Sequence, residues 1–220
     1  MSTTENNKKI ALQMIGLFIA VQLLAAVAPL LLPESLGTLA FILPSVLLFT
    51  LGAAGMIMLQ KKNGMVFEFE TPFKQQRLRV LSWGLLGMVL AIVVQTLASI
   101  IEFNFLGSTL ESQNTQMIVE VVRSYPIFLL VAGVAGPVME EFVFRKALFG
   151  LMVSKIGGVG AAVISSLLFA FIHMDGLFLV YSSMGLVFAW LYMHTKNIWT
   201  PVIAHCLMNI FAVLANIYLL

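Results

Sequence analysis

The chain has 220 residues, 60% of them hydrophobic and 10% charged, and its mean hydropathy is +1.02. Soluble domains carry about 25% charged residues, so the composition excludes a soluble globular domain and describes an integral membrane protein sized for one compact bundle. A net charge of +2 with no basic face excludes a nucleic-acid partner, and the single cysteine, Cys206, excludes an internal disulfide.

Apolar windows of about 20 residues mark membrane helices. They fall near 10–32, 36–60, 79–101, 125–153, 157–174, 176–194 and 198–219. The expected fold is therefore all-α, a polytopic transmembrane helical bundle of about seven spans. It forms a single membrane domain over 1–220. Residues 10–101 supply three accessory spans, and 125–219 form a core of four spans that carries the candidate functional residues. The first apolar run follows Lys8 and Lys9, but it is longer than the roughly 7–15 residues of a secretory signal. It reads as a retained helix. Pro33 and Gly37 punctuate the first turn, and Gly157 and Gly158 the turn after the fourth span.

Orientation follows from where Lys and Arg fall. Alternate loops collect Lys8, Lys9, Lys61, Lys62, Lys74, Arg77, Arg79, Arg145, Lys146, Lys155 and Lys196, while Arg123 stands alone on the other side. This predicts a cytoplasmic N-terminus and a C-terminus across the membrane. Residues 61–78 read as a polar cytoplasmic loop with some interfacial structure. Residues 103–124, with Glu111 and Glu120, face the opposite side.

The run from Tyr125 to Val153 is apolar except where Glu140 and Glu141 interrupt it and Arg145 and Lys146 follow. A charge at the centre of a bilayer costs at least ~2.5–3.5 kcal/mol, so an intramembrane acid marks a functional site by default. Gly133, Gly136, Pro137 and Glu140 share one helix face. The glycines permit close helix approach, and Pro137 removes a donor and frees the carbonyl of Gly133. Glu141 and Arg145, spaced i, i+4, form a structural pair, although an Arg that snorkels to the interface gives the same pattern. Because adjacent side chains diverge, Glu140 is left for another partner.

His173 lies about as far after the Gly157 turn as Glu140 lies before it, so a Glu–His pair across the hairpin is geometrically allowed. The bland alternative is an interfacial histidine facing water. His205 and Asn209, spaced i, i+4 on the last span, share a face as hydrogen-bond donors; interhelical glue is their alternative reading. His194, beside Lys196, fits the interface better than a site.

A carboxylate and a histidine at matched depth can polarise a water, and a facing His/Asn pair can stabilise an oxyanion, where one donor is worth ~2.7–4 kcal/mol. These residues describe an amide hydrolase inside the bilayer. Glu140, His173 and His205 also permit a His₂Glu zinc set, so a zinc-dependent protease stays open. A binding protein that uses the same polar cluster, or a proton-coupled transporter, are the non-hydrolytic alternatives. No inverted repeat supports the transporter.

Glu140-Glu141-x-x-x-Arg145, Phe169-x-x-x-His173 and His205-x-x-x-Asn209 resemble, in order, the three motifs of the CPBP family. That family takes in the type II CAAX prenyl endopeptidases and the bacterial Abi proteins linked to bacteriocin processing and self-immunity. The resemblance covers residues 125–215, and spans one to three resemble nothing specific. It implies an intramembrane glutamic endopeptidase, metal-free and without cofactor, in which Glu140 and His173 activate water. It further implies that His205 and Asn209 stabilise the oxyanion, with Glu141, Arg145 and Phe169 in support. The expected partners are a peptide or membrane-protein substrate and the lipid bilayer, in a bacterial cell membrane. A membrane immunity or regulatory protein without catalysis is the alternative on the same scaffold. The chain is short for the eukaryotic prenyl-processing members, and neither substrate nor oligomeric state is written in the sequence.

Overall fold

The computed structural model describes residues 3–109 and 112–219. Glu111, expected on the less basic face, lies outside the described residues. The regular structure described is helical. The chain begins with α1 (Thr3–Leu31), α2 (Leu39–Asn63), α3 (Arg77–Leu106) and the short α4 (Gln113–Ser124). It continues through α5 (Gly136–Glu141), flanked by π-helical stretches at Val131–Ala135 and Phe142–Phe149. It ends with α6 (Gly150–His173), α7 (Phe178–Thr195) and α8 (Trp199–Tyr218).

Among the described residues, six helices are long and apolar enough to cross a membrane. One of them, Pro126–His173, has 48 residues. As a straight rod it would reach about 72 Å, far beyond a bilayer core of about 30 Å. It instead folds back at Gly157, whose φ of 74° and ψ of 169° suit glycine alone. Phe144 and Phe169 flank that turn with ring centroids 5.4 Å apart, where an unbroken helix would separate them by about 37 Å. The run thus makes two passes, and the bundle has the seven expected from the sequence.

Loop pairing agrees with that count. Asn6 and Asn7 donate to the carbonyls of Asn63 and Val66, and Asn197 donates to the carbonyl of Thr71. On the other face Ser112 donates to Asp175, and Arg123 donates to the carbonyl of Asn216. Each bond joins segments separated by an even number of passes, two or four, which places them on one side. The expectation that Arg145 and Lys146 belong to the basic loops is corrected: both are fully buried. Lys146 forms an ion pair with Glu70, whose other oxygen accepts from Tyr192 at 2.7 Å. The polar segment after α2 is therefore pinned into the bundle rather than laid along the interface.

α1, α2 and α3 are apolar all round and leave Leu23, Leu24, Leu47, Leu51, Leu85 and Leu86 facing outward, as suits helices bathed in lipid. α7 is the most enclosed span and packs against α3, α6 and α8. At Gly185 the approach is so close that a Cβ would lie 2.7 Å from the Ser166 side chain. Residues 103–106 and 113–124 are helical. α3 continues to Leu106, and α4 opens on Ser112, whose hydroxyl caps the N–H of Thr115. α4 buries Val119 and Val122 against the end of α8. His194 stands exposed near the basic face, stacked on Trp190 and edge-on to Trp83, as interfacial aromatic groups do.

Candidate active site

The helix that carries the acids is locally distorted. The N–H of Gly136 reaches the carbonyl of Val131, five residues back, which is the π register. In that register the next donor belongs to Pro137, which has no N–H. The carbonyl left without its donor is therefore Ala132, not Gly133 as the α-helical spacing suggested. Asn209 on α8 fills the gap, its Nδ2 donating to the Ala132 carbonyl at 3.0 Å. Gly133 lets α8 come close, since a Cβ there would lie 2.6 Å from Ile210. Gly136 meets only its own helix.

Glu141 is fully buried, and its Oε1 accepts from Arg145 at 3.0 Å and from His205 Nδ1 at 2.8 Å. The expected Glu141–Arg145 pair is thus present, with His205 as a third member. Arg145 also donates to the Gly185 carbonyl at 3.1 Å and lies over the rings of Phe169 and Phe188. Burying an ion pair gains little by itself, whereas removing one partner leaves a stranded charge. The cluster therefore fixes geometry: it holds His205, itself stacked on Phe188 at 4.6 Å, in one orientation.

Glu140 points elsewhere. It keeps 18% of its side-chain exposure, and its Oε2 lies 3.7 Å from His205 Nε2. It opens into a cavity of about 680 Å³ that His173, His205, Asn209 and Phe169 also line. The structure thus brings the four candidate catalytic side chains to one space. His173 makes no direct ion pair with Glu140 among the described residues; the two meet across the cavity. The Nδ1 of His173 faces the Phe169 carbonyl at 2.8 Å. A carbonyl only accepts, so Nδ1 is the donor there, and in the neutral ring Nε2 is the acceptor. Glu141 likewise accepts from His205 Nδ1, so a proton on His205 Nε2 as well makes that ring an imidazolium between two carboxylates.

Three further groups that the sequence reading did not single out brace the segment after His173 and the start of α7. Tyr181 stacks on the His173 ring at 3.9 Å and donates to Asp175 at 2.8 Å. Ser112, at the head of α4, donates to the same Asp175 oxygen at 2.7 Å. Glu102, buried near the end of α3, accepts from the N–H groups of Leu179 and Val180 and so caps α7. An acid in an apolar run signals Glu102 in the sequence; nothing there connects Ser112 to Asp175. No three His, Cys, Asp or Glu side chains converge to hold a metal among the described residues.

Fold and site together define a polytopic helical membrane protein with a carboxylate–histidine cavity between its helices. The family Type II CAAX prenyl endopeptidase Rce1-like matches residues 122–211. The chain is 34% identical over 184 residues to the "Membrane-embedded CAAX protease MroQ" of Staphylococcus aureus (strain USA300), covering 80% of this chain and 74% of that one. It is 39% identical over 136 residues to the "Putative membrane peptidase YdiL" of Bacillus subtilis (strain 168). That match covers 61% of this chain and spans 56% of the relative's length. No solved structure matches. The chain belongs to the membrane CAAX protease family.

Proposed function

We propose that the chain is an intramembrane endopeptidase in which Glu140 takes the proton of a water molecule. The observation that carries this reading is the division of labour between adjacent acids. Glu141 is fully buried with its Oε1 bonded to Arg145 and His205, while Glu140 is left facing a cavity with both histidines. Water held between Glu140 and His173 Nε2 loses a proton to the carboxylate and attacks the peptide carbonyl carbon. The oxyanion that forms is met by His205 Nε2–H and by the second amide N–H of Asn209. Glu140 then returns the proton to the leaving amine. The substrate is a peptide or a membrane-protein segment. This route uses no metal, and a zinc-dependent route is the alternative that the test below separates from it.

Basic side chains at one end of the bundle, Lys8 on α1, Lys61 in the last turn of α2, and Lys74 and Lys196 between helices, support reading that face as cytoplasmic. On this reading the N-terminus is inside, and the end of the cavity lined by Ser112 and Asn216 lies toward the opposite face. The test is the full chain in lipid nanodiscs, incubated with a peptide mixture and read by mass spectrometry with and without a metal chelator. Cleavage that His173→Ala removes and the chelator leaves intact is expected. Cleavage that the chelator abolishes and zinc restores would overturn the metal-free mechanism.

A further inference from the structure

We propose that the substrate is cut at an internal bond within an uncharged stretch, and that the site does not recognise a free terminal carboxylate. This rests on the hydrolase reading above and names the class of peptide that the same cavity takes.

Besides apolar side chains and the two histidines, the wall of the cavity that holds Glu140 carries neutral polar groups. Gln95, Asn114, Asn209 and Asn216 are carboxamides, and Ser112 and Thr115 bring hydroxyls. Such groups both donate and accept, which matches the N–H and C=O of an extended peptide backbone. A carboxylate is held differently, by Arg or Lys. Among the described residues lining the cavity there is no Lys or Arg, and Glu140 is its one carboxylate. Arg145, one helical turn from the acids, is committed to Glu141 and the Gly185 carbonyl between two aromatic faces. Arg123 stands exposed, bonded to the Asn216 carbonyl and outside the cavity wall. A terminal carboxylate entering this space finds no Lys or Arg, and the His205 ring already lies between Glu140 and Glu141; an acidic side chain finds a like charge at short range in a poorly screening medium.

The experiment uses the full chain in nanodiscs and a synthetic library of short peptides, each made as a free acid and as a C-terminal amide. Asn, Asp and Lys are varied beside the scissile bond, and Glu140→Gln supplies the background. Free acids and amides should be cut at rates within about twofold, and Asp in place of Asn next to the bond should slow cleavage about tenfold or more. Free acids cut about tenfold faster than amides, with a preference that Arg123→Gln removes, would overturn the proposal while leaving the hydrolase reading intact. A wild-type chain that cuts neither form would overturn both.

Discussion

At the scale of single residues, two neighbouring glutamates in one apolar helix have opposite fates. Glu141 has no exposure and bonds to Arg145 and His205; Glu140 keeps its opening to the cavity. The sequence told them apart through one fact, the i, i+4 spacing of Glu141 and Arg145. It did not foretell that His205 would join that pair, because nothing in a linear sequence states how α8 tilts against α5. Breaking a buried pair by removing one partner costs about 3–5 kcal/mol, so Arg145→Met should lower unfolding stability in detergent by that order; a change near zero would show that the pair is not held as described. Tyr181→Phe keeps the stack on His173 but removes the hydrogen bond to Asp175. A hydrogen bond to a charged group is worth about 1.5–3 kcal/mol. If Tyr181 only packs, kcat and KM should stay at wild-type values in the Phe variant. If the tether positions His173, kcat should fall with KM little changed.

At the scale of elements, the departures from regular helix are where the site is made. The π register around Val131–Ala135 turns the missing Pro137 donor into a berth for Asn209. Pro137 was visible in the sequence as a disruption, but the register shift that decides which carbonyl it frees was not. Asn209→Ala should strand the Ala132 carbonyl at a cost of about 1–3 kcal/mol and lower activity. Adding Pro137→Ala restores a backbone donor, so the double variant should regain stability, measured by thermal unfolding, without regaining turnover. Recovery of both would make Asn209 a structural residue only. Gly157 carries the hairpin that brings Phe169 and His173 back to the acids. Its φ and ψ are strained for any residue with a Cβ at about 1–3 kcal/mol, so Gly157→Ala should destabilise the bundle by that amount in the same assay.

At the scale of the molecule, the all-helical membrane bundle was legible because long apolar windows and sparse charge leave no other fold. The number of passes was legible for the same reason, helped by the glycine pair at the fourth turn. The inward turn of the segment after α2 was not, since Glu70, Lys146 and Tyr192 are far apart in sequence and a polar stretch between spans reads as a loop. An odd number of passes puts the chain ends on opposite faces. In a Cys206→Ser background, Asn6→Cys and Asn216→Cys should react with a membrane-impermeant maleimide from opposite sides of oriented vesicles. The account as a whole turns on Glu140, and turnover of Glu140→Gln is its most direct measurement. The account predicts a variant that unfolds at the wild-type temperature and cleaves no peptide above background. A folded Glu140→Gln protein that still hydrolyses peptides at a rate comparable to wild type would contradict it.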